Sequence, residues 1–123
     1  RVTNPRIEKG YLVIDRKWEA GDEVTLSMDM PVEMVQADPR VKENIGKRAV
    51  QRGPLVYCAE ETDNPSFNEL TLSPLAQFKE TFNPTLLNGV TTIESISEKD
   101  TIRFIPYYAW DNREAGQMKV WID

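Results

Sequence analysis

The sequence predicts an all-β domain: an antiparallel β-sandwich, jelly-roll-like, with at most one short helix. Three observations carry this. The 8 prolines and 6 glycines punctuate the chain at short intervals, and β-branched and aromatic residues fill the gaps between them. The run VTLSMDM (24–30) alternates, with Val24, Leu26, Met28 and Met30 on one face and Thr25, Ser27 and Asp29 on the other. Period two with one polar face is the pattern of a half-solvated antiparallel strand. No long segment repeats its apolar residues at the 3.6-residue period of a helix.

Taken in order, GYLVID (10–15) is the first clear strand, and WEAGDE (18–23) is a turn in which Gly21 supplies backbone freedom. VTLSMDM follows as a strand. VEMVQA (32–37) comes after Pro31, which marks a bend between sheets. DPRVKENIGKR (38–48) is polar and reads as a surface loop. AVQRG and PLVYCAE (49–60) are strands broken at Gly53-Pro54, and Asp63-Asn64-Pro65 initiates a turn. SPLAQFKETF (73–82) fits two patterns equally. Ser73 caps and Pro74 opens a short helix with Leu75, Phe78 and Phe82 at helical spacing, or the segment is a strand. LLNGVTTI (86–93) reads as a hairpin turning at Asn88-Gly89, because both residues tolerate positive φ. TIRFIPYY (101–108) and QMKVWID (117–123) are the last strands, joined by the loop AWDNREAG (109–116). In the final strand Met118, Val120 and Ile122 share a face, and Trp121 points the other way beside Lys119.

Two strands are apolar on both faces. In PLVYCAE, Leu55, Tyr57 and Ala59 oppose Pro54, Val56 and Cys58; in RFIPYYAW, Phe104 and Pro106 oppose Ile105 and Tyr107. Such strands are expected to be covered on both sides, by an overlying segment, a second domain or another subunit.

Composition excludes much chemistry. The 123 residues contain no histidine, so a Ser-His-Asp triad, a His-ligated zinc and an imidazole proton shuttle are ruled out for this chain alone. One cysteine permits neither an internal disulfide nor a thiolate cluster. Net charge is −5, with acids and bases interspersed as in DRKWEAGDE, which argues against nucleic-acid binding. No apolar run approaches the ~20 residues of a membrane helix, and the N-terminus does not resemble a signal peptide. The chain opens on Arg1, as expected of a fragment or a processed product.

Cys58 is expected to be structural. Arg52 precedes it by some 20 Å of extended chain at ~3.3 Å per residue, too far to activate the thiol locally. Glu60 and Glu61 are adjacent on a strand and point to opposite faces, so they cannot flank one glycosidic bond as acid and base. They read as solvated strand-end charges. The loop WDNREAG (110–116) is the best candidate for contact with a carbohydrate or a neighbouring domain. Trp110 offers a stacking ring, Asp111 and Asn112 offer a carboxylate and an amide, and Arg113 offers a planar fork. The competing structural reading has Trp110 plugging the end of the sandwich and Arg113 paired with a nearby acid. The loop lacks the ligand spacing of a calcium site. No catalytic and no metal-binding residue is assigned.

GYLVIDRKWEAGDEVTLSMDM, ENIGKRAVQRGPLVYCAEETDN and IPYYAWDNREAGQMKVWI, in that order, resemble the C-terminal β-sandwich region of glycoside hydrolase family 127, the β-L-arabinofuranosidase-like family. RGPLVYCAE and YYAWDNR…GQM-VW are the most specific parts. The resemblance implies a larger parent in which an (α/α)₆ barrel precedes this region. That barrel carries a zinc-bound cysteine nucleophile and acidic residues that hydrolyse L-arabinofuranosides with retention. None of those positions falls here, and Cys58 does not match the nucleophile's motif. No cofactor is expected in this chain, and zinc belongs to the missing catalytic domain. The resemblance implies a single domain over 1–123, with 1–30 as the end of a preceding sandwich and 31–123 as the main one. Expected partners are the catalytic barrel of the same parent chain, a second copy in a homodimer, or a plant-type glycan; a bacterial parent that is periplasmic or secreted is compatible with it.

Overall fold

The computed structural model describes residues 6–123. Among them nine strands form, in chain order β1 (Arg6–Glu8), β2 (Tyr11–Val13), β3 (Val32–Gln36), β4 (Arg48–Arg52), β5 (Leu55–Glu60), β6 (Gln77–Asn83), β7 (Val90–Ile96), β8 (Thr101–Pro106) and β9 (Met118–Lys119). The remaining regular structure is five 3₁₀ turns of three residues each. No helix among the described residues is long and apolar enough to cross a membrane.

β1 and β2 make a small hairpin of their own, turned by Lys9 and Gly10 at φ 49° and 83°. Positive φ at both central residues matches the twist of the flanking strands. The other seven strands form one antiparallel sheet in the order β3-β4-β5-β8-β7-β6, with β9 added to β5. The sheet curls into a half-barrel, and the expected all-β antiparallel class is the one found.

The curled sheet encloses the larger core. Val50, Tyr57, Ile93, Ile102 and Phe104 are buried inside, with Phe67, Leu70 and Leu72 from the connection between β5 and β6 packed onto them. A smaller cluster of Cys58, Val90, Ile105 and Ala109 lies apart from the first, covered by Leu86, Leu87, Trp110, Met118 and Val120. β5 therefore sends Tyr57 and Ala59 to one core and Cys58 to the other, and β8 divides Phe104 from Ile105 in the same way. Two cores within the chain itself explain the two-faced pattern at Tyr57, Cys58, Ala59, Phe104 and Ile105, whereas Val56 and Tyr107, expected to be covered, are exposed.

Four local expectations meet different outcomes. Residues 24–30 carry the alternation but join no sheet, and Val24, Leu26 and Met28 are exposed. The segment 73–82 resolves in favour of a strand, β6, preceded by a Ser73–Ala76 turn. The hairpin at Asn88-Gly89 is the β6–β7 hairpin, but Leu86 and Leu87 belong to its connection and not to a strand. The Asn83 side chain holds that connection by accepting from the Thr85 and Leu86 amides at 3.1 and 3.0 Å. QMKVWID pairs only at Met118–Lys119 and through a bridge between Arg48 and Ile122. Met118 and Val120 consequently pack on the smaller core, and Ile122 on the larger one.

Candidate functional site

The loop after β8 is built by a change of direction. Pro106 ends β8, Tyr107–Ala109 form a 3₁₀ turn, and Asp111 takes a left-handed φ of 60°. Left-handed backbone is tolerated by aspartate better than by most residues. The loop then returns along the end of β5.

The four loop residues singled out from the sequence lie close together; Arg113 is turned inward, whereas Asp111 and Asn112 are exposed. Arg113 donates from Nη1 to Asp63 Oδ1 at 2.9 Å and from Nη2 to Asp63 Oδ2 at 2.5 Å, and Nη2 also reaches Glu60 Oε2. Glu60 Oε1 accepts from the Asp111 backbone amide at 2.9 Å. Asn112 Nδ2 donates to the carbonyls of Ala109 and Trp110 at 3.1 and 3.0 Å. Bonds to Asp63 foremost, then to Glu60, raise the Arg113 pKa further above its usual value, against the opposing effect of burial. The guanidinium therefore stays charged. Its Nε is buried with no partner.

Glu60 is 6% exposed and not the solvated charge expected from its place at a strand end. Its partner lies 53 residues later in the chain, beyond the reach of a local pattern. The expectation of opposite orientations holds in a different form. Glu61 is exposed, and its Oε2 accepts from the Gln117 amide at 3.0 Å, while its own amide donates to the Gln117 carbonyl. The two neighbouring glutamates thus clamp the two ends of one loop. Asn64, also buried, ties this corner to β8: Nδ2 donates to the Glu60 and Arg103 carbonyls and Oδ1 accepts from the Arg103 amide.

Trp110 is half-buried against the smaller core, with the Tyr107 ring 6.4 Å away and tilted by 32°. Tyr107 and Tyr108 are 44% and 66% exposed, so the open aromatic surface at this corner comes from two tyrosines that the sequence reading placed in a strand. Cys58 lies beneath, fully buried. Burial first, then the negative charge of Glu60, pushes its thiol up to about 12. A thiol that stays protonated is a poor nucleophile. No group of three or more potential metal ligands occurs among the described residues.

Residues 32–123 match the glycoside hydrolase family 127 C-terminal domain. The chain belongs to glycoside hydrolase family 127. It is 38% identical to the non-reducing end β-L-arabinofuranosidase of Bifidobacterium longum, over 89% of this chain and 20% of that one. The structure superposes on a family 127 β-L-arabinofuranosidase from Geobacillus stearothermophilus T6 with a TM-score of 0.78 and 43% identity, covering 95% of this chain and 22% of that one. A second family 127 β-arabinofuranosidase gives a TM-score of 0.82 and 38% identity, over 97% and 21%. The chain thus spans about a fifth of the length of these family 127 relatives and corresponds to a C-terminal part of them.

Proposed function

We propose that this chain is a non-catalytic accessory domain of a β-L-arabinofuranosidase-like glycoside hydrolase, and that it packs on the catalytic barrel or on a partner subunit and holds the assembly rigid. One observation carries the reading. Ile7, Tyr11, Leu12, Trp18, Val24, Leu26 and Met28 are all exposed, and all lie between residues 6 and 31, ahead of the part that matches the family's C-terminal domain. A run of apolar side chains without cover is the signature of a surface meant for another protein part. Its cover in this proposal is the upstream portion of the parent chain, with residues 1–30 serving as the last strands of a preceding sandwich. Groups suited to chemistry are committed elsewhere: Glu60 and Asp63 to Arg113, Glu80 to Arg52, and Cys58 to a core.

The test is association with the separately produced upstream polypeptide, followed by light scattering. A one-to-one complex is expected for the native chain, and its loss is expected for Leu26→Asp/Met28→Asp. Release of an aryl group from an aryl arabinofuranoside by the pure chain, persisting in Cys58→Ala, would overturn the non-catalytic reading.

A second reading, contact with arabinose-containing glycans at the Trp110 loop, is favoured by the open rings of Tyr107 and Tyr108 beside Trp110. It predicts a change in tryptophan fluorescence on titration with such oligosaccharides, lost in Trp110→Ala.

A further inference from the structure

We propose that the cleft between the β4 and β6 ends of the half-barrel binds a neutral oligosaccharide, with the Arg48 guanidinium as its principal donor. The cleft encloses about 820 Å³, within the size range of small-molecule sites. It lies where β4 begins at Arg48 and β6 begins at Gln77, and residues 71–75, 96–99 and Asp123 complete its lining. Trp110 packs with Leu86, Leu87 and Val90 near the opposite end of the β6–β7 hairpin, so the cleft is separate from the Trp110 loop.

Arg48 is the anchor because its charge is uncommitted. Arg6, Arg16, Arg40, Arg52, Arg103 and Arg113 each sit against a carboxylate. Among the described arginines Arg48 alone does not, and its guanidinium makes one long bond, 3.4 Å, from Nη1 to the Leu72 carbonyl. A half-buried guanidinium keeps its remaining N–H donors in a rigid plane, suited to a pair of oxygens on one ligand.

Charge balance selects the class of ligand. The side chains of Arg48 and Lys99 line the cleft together with those of Glu98 and Asp123, two side-chain charges of each sign. A net anion would meet both carboxylates, whereas sugar hydroxyls donate to carboxylates and accept from guanidinium and ammonium groups alike. The Gln77 amide adds further hydrogen-bonding capacity, and the exposed side chains of Pro74, Leu75 and Ile96 give apolar surface for ring CH groups, while Leu72 belongs to the core behind them. This inference does not depend on the accessory reading, since the cleft lies in the main sheet and away from residues 6–31.

The experiment is calorimetric titration of the full polypeptide carrying this chain with short neutral arabino-oligosaccharides. We expect a binding event in addition to that at the parent's own active site. Arg48→Ala weakens it at least about tenfold, the equivalent of ~1.4 kcal/mol, and Arg48→Lys, which keeps the charge and loses the fork, does not restore it. Gln77→Ala, at an exposed position where folding is insensitive, weakens the same event about threefold. Absence of the additional event, or its persistence unchanged in both Arg48→Ala and Gln77→Ala, overturns the proposal. So does tighter binding of oligogalacturonate than of the neutral sugar at this site. Failure of the chain to associate with its upstream portion would sink the accessory reading and leave this one standing.

Discussion

Arg52 on β4 and Glu80 on β6 form an ion pair, although β5, β8 and β7 lie between those strands in the sheet. Strands so far apart in a flat sheet would not touch at about 4.8 Å per strand. The contact shows that the sheet curls far enough to bring β4 and the edge strand β6 within reach of one another; Arg52 and Glu80 meet here as a clasp, and the Arg48 cleft lies toward the other ends of the same two strands.

Both partners of the clasp are partly open to water, so its contribution is modest and sensitive to salt. Glu80→Gln is expected to lower the unfolding free energy by about 0.5–1 kcal/mol in dilute buffer. Urea unfolding at low and high salt measures it, and the difference from the native chain shrinks at high salt.

The ion cluster at the Trp110 loop behaves differently because it is buried. Side-chain exposure is 20% for Arg113, 8% for Glu60 and 13% for Asp63. Arg113→Met strands two carboxylates, and the expected loss is about 3–5 kcal/mol. Arg113→Met combined with Glu60→Gln and Asp63→Asn removes the orphaned charges and recovers a large part of that loss. Equilibrium denaturation of the single and triple variants decides this.

The contrast between these two clusters shows what the sequence made legible. Gly53-Pro54 marked the β4–β5 turn through its turn residues, and the alternation around Cys58 placed Tyr57 and Cys58 on opposite faces, which the fold buries in two cores. Alternation says which face is apolar and not whether a partner strand is present, so Val24–Met30 read as a sheet strand and is not one. The burial of Glu60 and the meeting of Arg52 with Glu80 depend on contacts 53 and 28 residues apart. No local periodicity reports these. Of the candidate loop, the residue set was legible, but the inward direction of Arg113 was set by Glu60 and Asp63 far back in the chain, whereas Asn112 bonds only to the nearby carbonyls of Ala109 and Trp110.

Cys58 gives a prediction with a defined pH window. Its pKa rises from 9.0 to about 12 on folding, so the folded state holds the proton that the unfolded state releases. The resulting stability is complete below pH 9 and is lost as pH climbs from 9 to about 12, with a slope near 1.4 kcal/mol per pH unit. Cys58→Ala flattens this part of the alkaline stability profile. The native chain at neutral pH reacts with a thiol reagent only at the rate of global opening, and rapid labelling would contradict the burial of Cys58.

Gly53 is where the segment ahead of β3 meets the sheet. Its φ is 53°, its amide donates to the Pro31 carbonyl at 3.2 Å, and a Cβ there would stand 3.0 Å from Met30 Cγ. Arg52 Nη1 lies 3.7 Å from Met30 Sδ, so the same turn grips Met30 from a second direction. An alanine meets both a left-handed backbone and a crowded neighbour. The Met30 side chain has to give by a few tenths of an ångström to make room. Gly53→Ala is therefore expected to cost about 1–2 kcal/mol in stability, and to raise protease cleavage before Pro31 more than cleavage within β4 or β5. Gly53→Asn, better suited to positive φ, relieves the backbone part and not the contact with Met30. Limited proteolysis of the two variants with mass readout separates the terms: equal cleavage in both assigns the effect to Met30, and protection restored in Gly53→Asn assigns it to the backbone.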